Sequence, residues 1–277
     1  MQFHIHSFAD EAGAGLSAQI AAMKRNGHEG LEIRNLGGRN VTELSEKEAA
    51  EVAKALADEG LRVWSVGSPI GKIGIRDDFS AHLELFRHTL ELAAIFGAEA
   101  FRLFSFYIPK GEDPALYREE VIERLGRLCD LGRPYGIALC HENEKGIYGD
   151  LAPRCLELHR ALPGLSAVFD PANFIQCGQE TLSAWELLAP YVKYLHIKDA
   201  LENGVVVPAG AGLGHVAEIV RAYAAQGGRD LTLEPHLNQL TGTGMQIEKE
   251  LLGLSYPDAD TAFDAACAAL EKITEAI

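Results

Sequence analysis

Four apolar stretches of this sequence each run into ionisable residues. Ile137–Glu142 closes on Cys140-His141-Glu142-Asn143, and Ala167–Asp170 continues into Pro171-Ala172-Asn173. Tyr194–Lys198 carries His196 and Lys198 and is followed by Asp199, while Leu231–Glu234 leads into Pro235-His236. If each stretch is a strand, period-2 alternation puts Glu142 on the face of Cys140 and Ala138, Asp170 with Val168, His196 with Tyr194, and Glu234 with Thr232. Leu139, Phe169, Leu195 and Leu233 then face the other way. Three carboxylates and an imidazole brought together repel one another unless pKa values rise or a cation intervenes. One divalent metal resolves the conflict. An oxygen-rich set with a single nitrogen suits Mn2+, Mg2+ or Co2+, with Zn2+ also admissible.

Around these four stand candidates for holding a substrate. Lys198 shares the His196 face and offers an ammonium to a substrate oxygen or phosphate; Asp199 follows it. Arg34 and Arg102 are candidate anion clamps, with a salt bridge to Glu32 or Glu99 as their structural alternative. His6, closing the first apolar stretch, is placed to line the same mouth. His236 is expected to point away from Glu234, outside the cluster.

The elements that must position these groups are legible as a repeat. The predicted strands are Phe3–Phe8, Leu31–Arg34, Arg62–Gly67, Phe101–Phe106, Ile137–Glu142, Ala167–Asp170, Tyr194–Lys198 and Leu231–Glu234. Between them lie helical patterns. Ser45 with Glu48 forms a capping box, Asp113-Pro114 starts another helix, and Leu83, Phe86, Leu90 and Ala93 make one helical stripe. Gly27, Gly60, Gly97, Gly136 and Gly228 each sit where a helix must end before the next strand. Taking strand ends at 6, 34, 67, 104, 142, 170, 196 and 234, successive intervals are 28, 33, 37, 38, 28, 26 and 38 residues, each long enough for one βα unit. Eight such units predict an α/β fold, a (β/α)8 TIM barrel, as a single domain over 1–277. The first turn, Ala9-Asp10-Glu11-Ala12-Gly13, lacks the glycine pattern of a doubly wound dinucleotide-binding sheet. In a TIM barrel the strand carboxyl ends form the site, so the four ionisable residues converge there.

The set Glu142, Asp170-x-x-Asn173, His196-x-Lys198-Asp199 and Glu234-Pro235-His236 resembles the xylose isomerase-like TIM-barrel superfamily. It is most similar to the sugar phosphate isomerase/epimerase branch, with its tagatose/psicose 3-epimerases, hydroxypyruvate isomerases and inosose dehydratases. The resemblance covers nearly the whole chain. It implies that Glu142, Asp170, His196 and Glu234 hold the metal and that Glu142 and Glu234 double as catalytic acid and base. Lys198, Asp199, Asn173, Arg102, Arg34 and His6 are then the substrate-binding candidates. The ketose epimerases usually carry His three residues after the Asp, where this chain has Asn173, a departure that counts against a ketohexose and a multinuclear zinc site. The implied activity is isomerisation or epimerisation of a sugar or sugar phosphate by proton transfer through a cis-enediolate. An inosose-type dehydratase using the same metal site is the alternative. An apurinic endonuclease-like hydrolase and a non-catalytic sugar-binding protein rank below both.

Composition narrows the classes further. With 25 Lys+Arg against 40 Asp+Glu, the formal net charge is −15, a poor footprint for nucleic acid or an anionic membrane. No apolar run of about 18 residues suggests a spanning helix. The start lacks the basic and apolar regions of a secretory signal. The five cysteines are odd in number and form no C-x-x-C pair, so free thiols and a cytoplasmic location are expected. The expected partner is a small-molecule sugar, and a homo-oligomer is compatible with the sequence. Gly67–Gly74 falls one residue short of a phosphate-binding loop and lacks its Ser or Thr; it reads as the third βα loop, placed to serve as a substrate lid. Gly210–His215 reads as a loop leading into a helix, whose backbone N–H groups can meet an anion. The connection from Pro235 to Pro257, with Thr241-Gly242-Thr243-Gly244, is long enough to serve as a lid or subunit contact.

Overall fold

Eight parallel strands close on themselves in chain order in the computed structural model, which describes residues 2–238 and 255–277. They are β1 (His4–Ser7), β2 (Gly30–Ile33), β3 (Arg62–Gly67), β4 (Ala100–Leu103), β5 (Ala138–Glu142), β6 (Ser166–Phe169), β7 (Val192–Ile197) and β8 (Asp230–Leu233). The ring is sealed by β1 against β8, with His4 opposite Asp230 and Ser7 opposite Leu233. This is the TIM-barrel α/β fold that the strand–helix spacing predicts. The strand β4 stops at Leu103, short of the expected Phe106, whose φ of +65° leaves the extended region.

Helices α1 (Leu16–Arg25), α2 (Glu46–Asp58), α3 (Phe79–Phe96), α4 (Arg118–Gly132), α5 (Ala152–Ala161), α6 (Pro171–Gln176), α7 (Thr181–Leu188), α8 (Val216–Ala225) and α9 (Ala259–Glu275) accompany the strands. The stripe Leu83, Phe86, Leu90 and Ala93 of α3 is buried. Alternation separates two apolar layers. Trp64, Ala100, Cys140, Val168 and Tyr194 pack together inside the barrel, whereas Leu139, Phe169, Leu195 and Leu233 join the clusters between strands and helices.

The punctuation is mostly as expected. Ser45 and Glu48 form the capping box of α2. Asp113 caps a short 3-10 turn, Pro114–Tyr117, that leads into α4. Gly27, Gly60, Gly97 and Gly136 have left-handed φ, but Gly228 does not; Gly227, φ +91°, takes that role. Gly228 is instead needed for space, since a Cβ there would meet the Tyr223 ring at 2.2 Å. Two two-stranded ribbons decorate the carboxyl side of the barrel, Asn35–Leu36 with Arg39–Asn40 and Asp199–Ala200 with Val206–Val207. Most of the long connection after Pro235, residues 239–254, lies outside the described residues, including Thr241–Gly244. Among the described residues no helix is long and apolar enough to cross a membrane.

Candidate active site

The strand ends place four side chains together. Glu142 is the last residue of β5, Asp170 and Glu234 follow β6 and β8 directly, and His196 is the penultimate residue of β7. All four are buried. Each offers one ligand atom lying within 4.8 Å of the other three. His196 Nδ1 stands 3.1 Å from Glu142 Oε1 and 3.2 Å from Glu234 Oε2. Glu142 reaches the imidazole from beyond β6, and Glu234 from β8, the other neighbour of β7.

Local sequence explains how each is held. Asp170 precedes Pro171 at the start of α6, and its Oδ1 caps that helix by accepting the Asn173 N–H at 2.9 Å. Asn143 clasps the Asp170 backbone on both sides, donating to its carbonyl at 2.9 Å and accepting its N–H at 3.0 Å. The Asn173 side chain donates to Glu142 Oε1 at 3.1 Å. Asn173 therefore restrains a carboxylate of the cluster, a role the substrate-binding expectation did not include.

Lys198 is no surface group. Its ammonium sits 2.7 Å from Asp170 Oδ2 and 3.2 Å from Glu234 Oε2. The contact with Asp170 falls outside hydrogen-bonding geometry, so Oδ2 is a buried oxygen with no hydrogen-bond donor. Arg102 donates to Glu142 Oε2 at 3.0 Å and to the carbonyls of Gly67 and Ser68. Arg34 binds Asp10, Glu11 and Glu234, each at 3.0–3.1 Å. Neither arginine uses Glu32 or Glu99 as partner; Glu99 pairs with Arg62. The Phe8 ring lies beneath both guanidinium groups, at 4.5 Å from Arg34 and 5.2 Å from Arg102, with His196 edge-on at 5.3 Å.

Burial and charge set the protonation of this group. Burial pushes Asp170 up to about 7, despite the neighbouring Lys198. Burial also works to raise Glu142, but His196 and Arg102 outweigh it and hold the carboxyl down at about 2. Glu234 is likewise held well below its usual range by Lys198, His236 and His196 against the effect of burial. His196, which burial alone would keep neutral, is held charged by Glu142 and Glu32.

Three expectations differ from the structure. Asp199 does not face the substrate side. Its carboxylate accepts the backbone N–H groups of Ala200, Gly210, Gly212 and Gly214 at 2.8–3.0 Å. The anion met by the glycine-rich loop is thus the chain's own. The loop must be glycine at 212 and 214, where a Cβ would lie 2.3 and 2.6 Å from Asp199 Oδ1. His6 is buried inside the barrel, away from the cluster, stacked on Trp64 at 4.5 Å and 3.2 Å from Asp230 at the opposite, amino end of β8. His236 does not point away from Glu234 either: its Nε2 lies 3.5 Å from Glu234 Oε1 and 3.2 Å from Glu11 Oε1, on a backbone with φ +46°.

Glu32 was not among the expected site residues. It is fully buried, accepts the Tyr194 hydroxyl at 2.8 Å, and lies 3.3 Å from His196 Nε2. Its position two residues before Arg34, on the same strand face, was the available signal. Asp10 and Glu11, just past β1, carried none.

The donor set suits a divalent cation: three carboxylates, one imidazole nitrogen whose proton a cation would displace, and one carboxylate oxygen that no hydrogen bond satisfies. Asp170 Oδ2 is that oxygen. A second trio within the same reach, Glu11, Glu234 and His236, already surrounds the Arg34 guanidinium.

These features define a (β/α)8 barrel with an acid–imidazole cluster at the carboxyl ends of four consecutive strands. Residues 20–251 match the family model described as xylose isomerase-like TIM barrel, and the chain belongs to that family. No curated protein sequence matches it. Among solved structures it is similar to the probable 3-DHS dehydratase AsbF involved in petrobactin synthesis from Bacillus anthracis (TM-score 0.75, 17% identity, 98% of this chain and 99% of that one). It is also similar to the IolI protein with a binding zinc atom (TM-score 0.74, 14% identity, 100% and 99%). A third is D-psicose 3-epimerase in the presence of D-fructose (TM-score 0.73, 16% identity, 97% of each chain).

Proposed function

We propose that this protein is a divalent-metal-dependent isomerase or epimerase of a sugar, working by proton transfer through a cis-enediolate. The observation that carries the reading is the convergence of Glu142, Asp170, His196 and Glu234, with ligand atoms within 4.8 Å of one another. A divalent cation held by these four would supply Lewis acidity, lowering the pKa of the C–H beside the substrate carbonyl. Of Glu142 and Glu234, one takes that proton and the other returns one, on the opposite face for epimerisation or at the adjacent carbon for isomerisation. The two carboxylates are suited to opposing roles because they come from opposite flanks of β7. Arg102 and Asn173 hold Glu142 by its two oxygens, and Arg34 and Lys198 hold Glu234 by its two, so neither carboxylate swings freely. The deep placement of the cluster, with Phe8 packed beside it, limits water around the reacting carbon.

The relatives support both this reading and a dehydratase, since an epimerase and a probable dehydratase share the fold at comparable TM-scores. Turnover in D2O separates them. For an isomerase or epimerase, product of unchanged mass except for deuterium at a carbon beside the carbonyl is expected. Glu142→Gln and Glu234→Gln should each abolish the exchange while leaving the melting temperature nearly unchanged. Loss of water from the substrate would move the assignment to the dehydratase. Absence of solvent deuterium in an isomerised product would rule out the enediolate route.

A further inference from the structure

We propose that the pocket at this barrel mouth takes an electrically neutral polyhydroxy carbonyl compound and turns away phosphorylated or carboxylated counterparts, because its cations are already committed to carboxylates. The inference rests on the isomerase or epimerase reading for the site's location and narrows its substrate class. Beside the acid–imidazole cluster lies a cavity of about 570 Å³, whose cationic walls are Arg34, Lys72 and Arg102. A phosphate or carboxylate subsite needs a cation whose charge no carboxylate already balances.

Neither arginine has a vacant fork, and the charge of Lys72 is balanced by Glu144. Arg34 spends Nε and Nη2 on Asp10, Nη2 also on Glu11, and Nη1 on Glu234. Arg102 spends Nη1 on Glu142 and Nη2 on two backbone carbonyls. Its Nε, though without an acceptor, is buried. Lys72 is paired with Glu144 at 2.9 Å and lies over the Phe104 ring. Deeper in, Lys198 is shared by Asp170 and Glu234. His236 is itself turned to carboxylates, with Nε2 3.2 Å from Glu11 Oε1 and 3.5 Å from Glu234 Oε1.

The charge sum points the same way. Among the described residues, Asp10, Glu11, Glu32, Glu142, Glu144, Asp170 and Glu234 give −7 when ionised, and Arg34, Lys72, Arg102 and Lys198 give +4. With the charged His196 the sum is −2, and a bound divalent cation that displaces the imidazole proton brings it to −1. A phosphate dianion or a carboxylate entering this mouth displaces existing pairs or meets a negative field. Hydroxyl groups face no such penalty, because the outer carboxylate oxygens accept from them and the paired N–H groups share a second acceptor.

The test is calorimetric binding to the Mn2+-loaded protein of several neutral ketoses and inososes, each against its phosphate or its uronate, with deuterium exchange measured in parallel. Neutral compounds should bind roughly tenfold or more tightly than their anionic counterparts. Equal or tighter binding of the anions overturns the inference, and so does failure of every compound to bind. Tighter binding of neutral compounds with no exchange leaves this inference standing and removes the isomerase reading instead. Glu144→Gln releases the Lys72 ammonium into the cavity and should narrow the preference by about threefold or more. Circular dichroism checks that the variant is folded. An unchanged preference in folded Glu144→Gln refutes the account in terms of committed cations.

Discussion

Replacing Glu32 by Gln isolates what a buried carboxylate does for His196. In the structure Glu32 is fully buried, with one oxygen accepting the Tyr194 hydroxyl at 2.8 Å and the other 3.3 Å from His196 Nε2. With Nε2–H directed at Glu32, Nδ1 is left to present its lone pair to a cation among Glu142, Asp170 and Glu234. A carboxylate behind the imidazole also raises its basicity as a ligand. Glutamine fits the same space. Its amide oxygen can accept from His196, while its NH2 donates to the Tyr194 oxygen, whose proton turns to Ser65 Oγ, 3.3 Å away. The tautomer and the packing survive, and the negative charge is lost. Loss of such a partner lowers metal affinity by about 10–100-fold, or about 1.4–2.8 kcal/mol. Stability should change by no more than about 1 kcal/mol. Glu32→Ala differs, because it strands the Tyr194 hydroxyl and the imidazole N–H in the core, each at about 1–3 kcal/mol. Mn2+ titration calorimetry with a competing chelator, together with thermal melting, reads both quantities. Glu32→Gln that binds Mn2+ within about threefold of the parent would refute the reasoning, since only the charge behind the imidazole has been removed.

Acid should destabilise the fold through buried neutral histidines. Burial pushes His28 down to about 4, so between pH 6.5 and about 4 the unfolded chain takes up a proton that the folded chain refuses. Stability then falls with falling pH across that window by up to about 3 kcal/mol from this residue. His28→Leu should flatten that part of a denaturant-measured stability profile, and an unaltered slope would contradict the assignment. Asp199→Ala removes the acceptor of four backbone N–H groups and should cost more than about 3 kcal/mol by chemical denaturation, with Asp199→Asn falling between. Lys198→Met removes the ammonium shared by Asp170 and Glu234; metal-free protein should lose stability, and added Mn2+ should restore more of it than in the parent. Thermal shift with and without Mn2+ measures both arms.

Much of the barrel follows from local order in the chain. Apolar stretches of strand length, capping residues such as Ser45 and Asp113, and intervals of one βα unit are short-range features, and short-range sterics and hydrogen bonding act on them directly. Glu142, Asp170, His196 and Glu234 were legible for the same reason: each closes a strand, and alternation sends each inward. Alternation fails once the backbone leaves the strand. Asp199 lies two residues past β7 and turns to Gly210, Gly212 and Gly214. Pairings across the closed barrel were also beyond local reading. Arg34 finds Glu234 200 residues away, Glu32 reaches His196 across 164, and His6 turns to Asp230 across 224. Which carboxylate a buried cation meets depends on where barrel closure and strand register bring distant chain segments together. That is a property of the packed tertiary structure, because the energy of a buried charge is set by its neighbours in space.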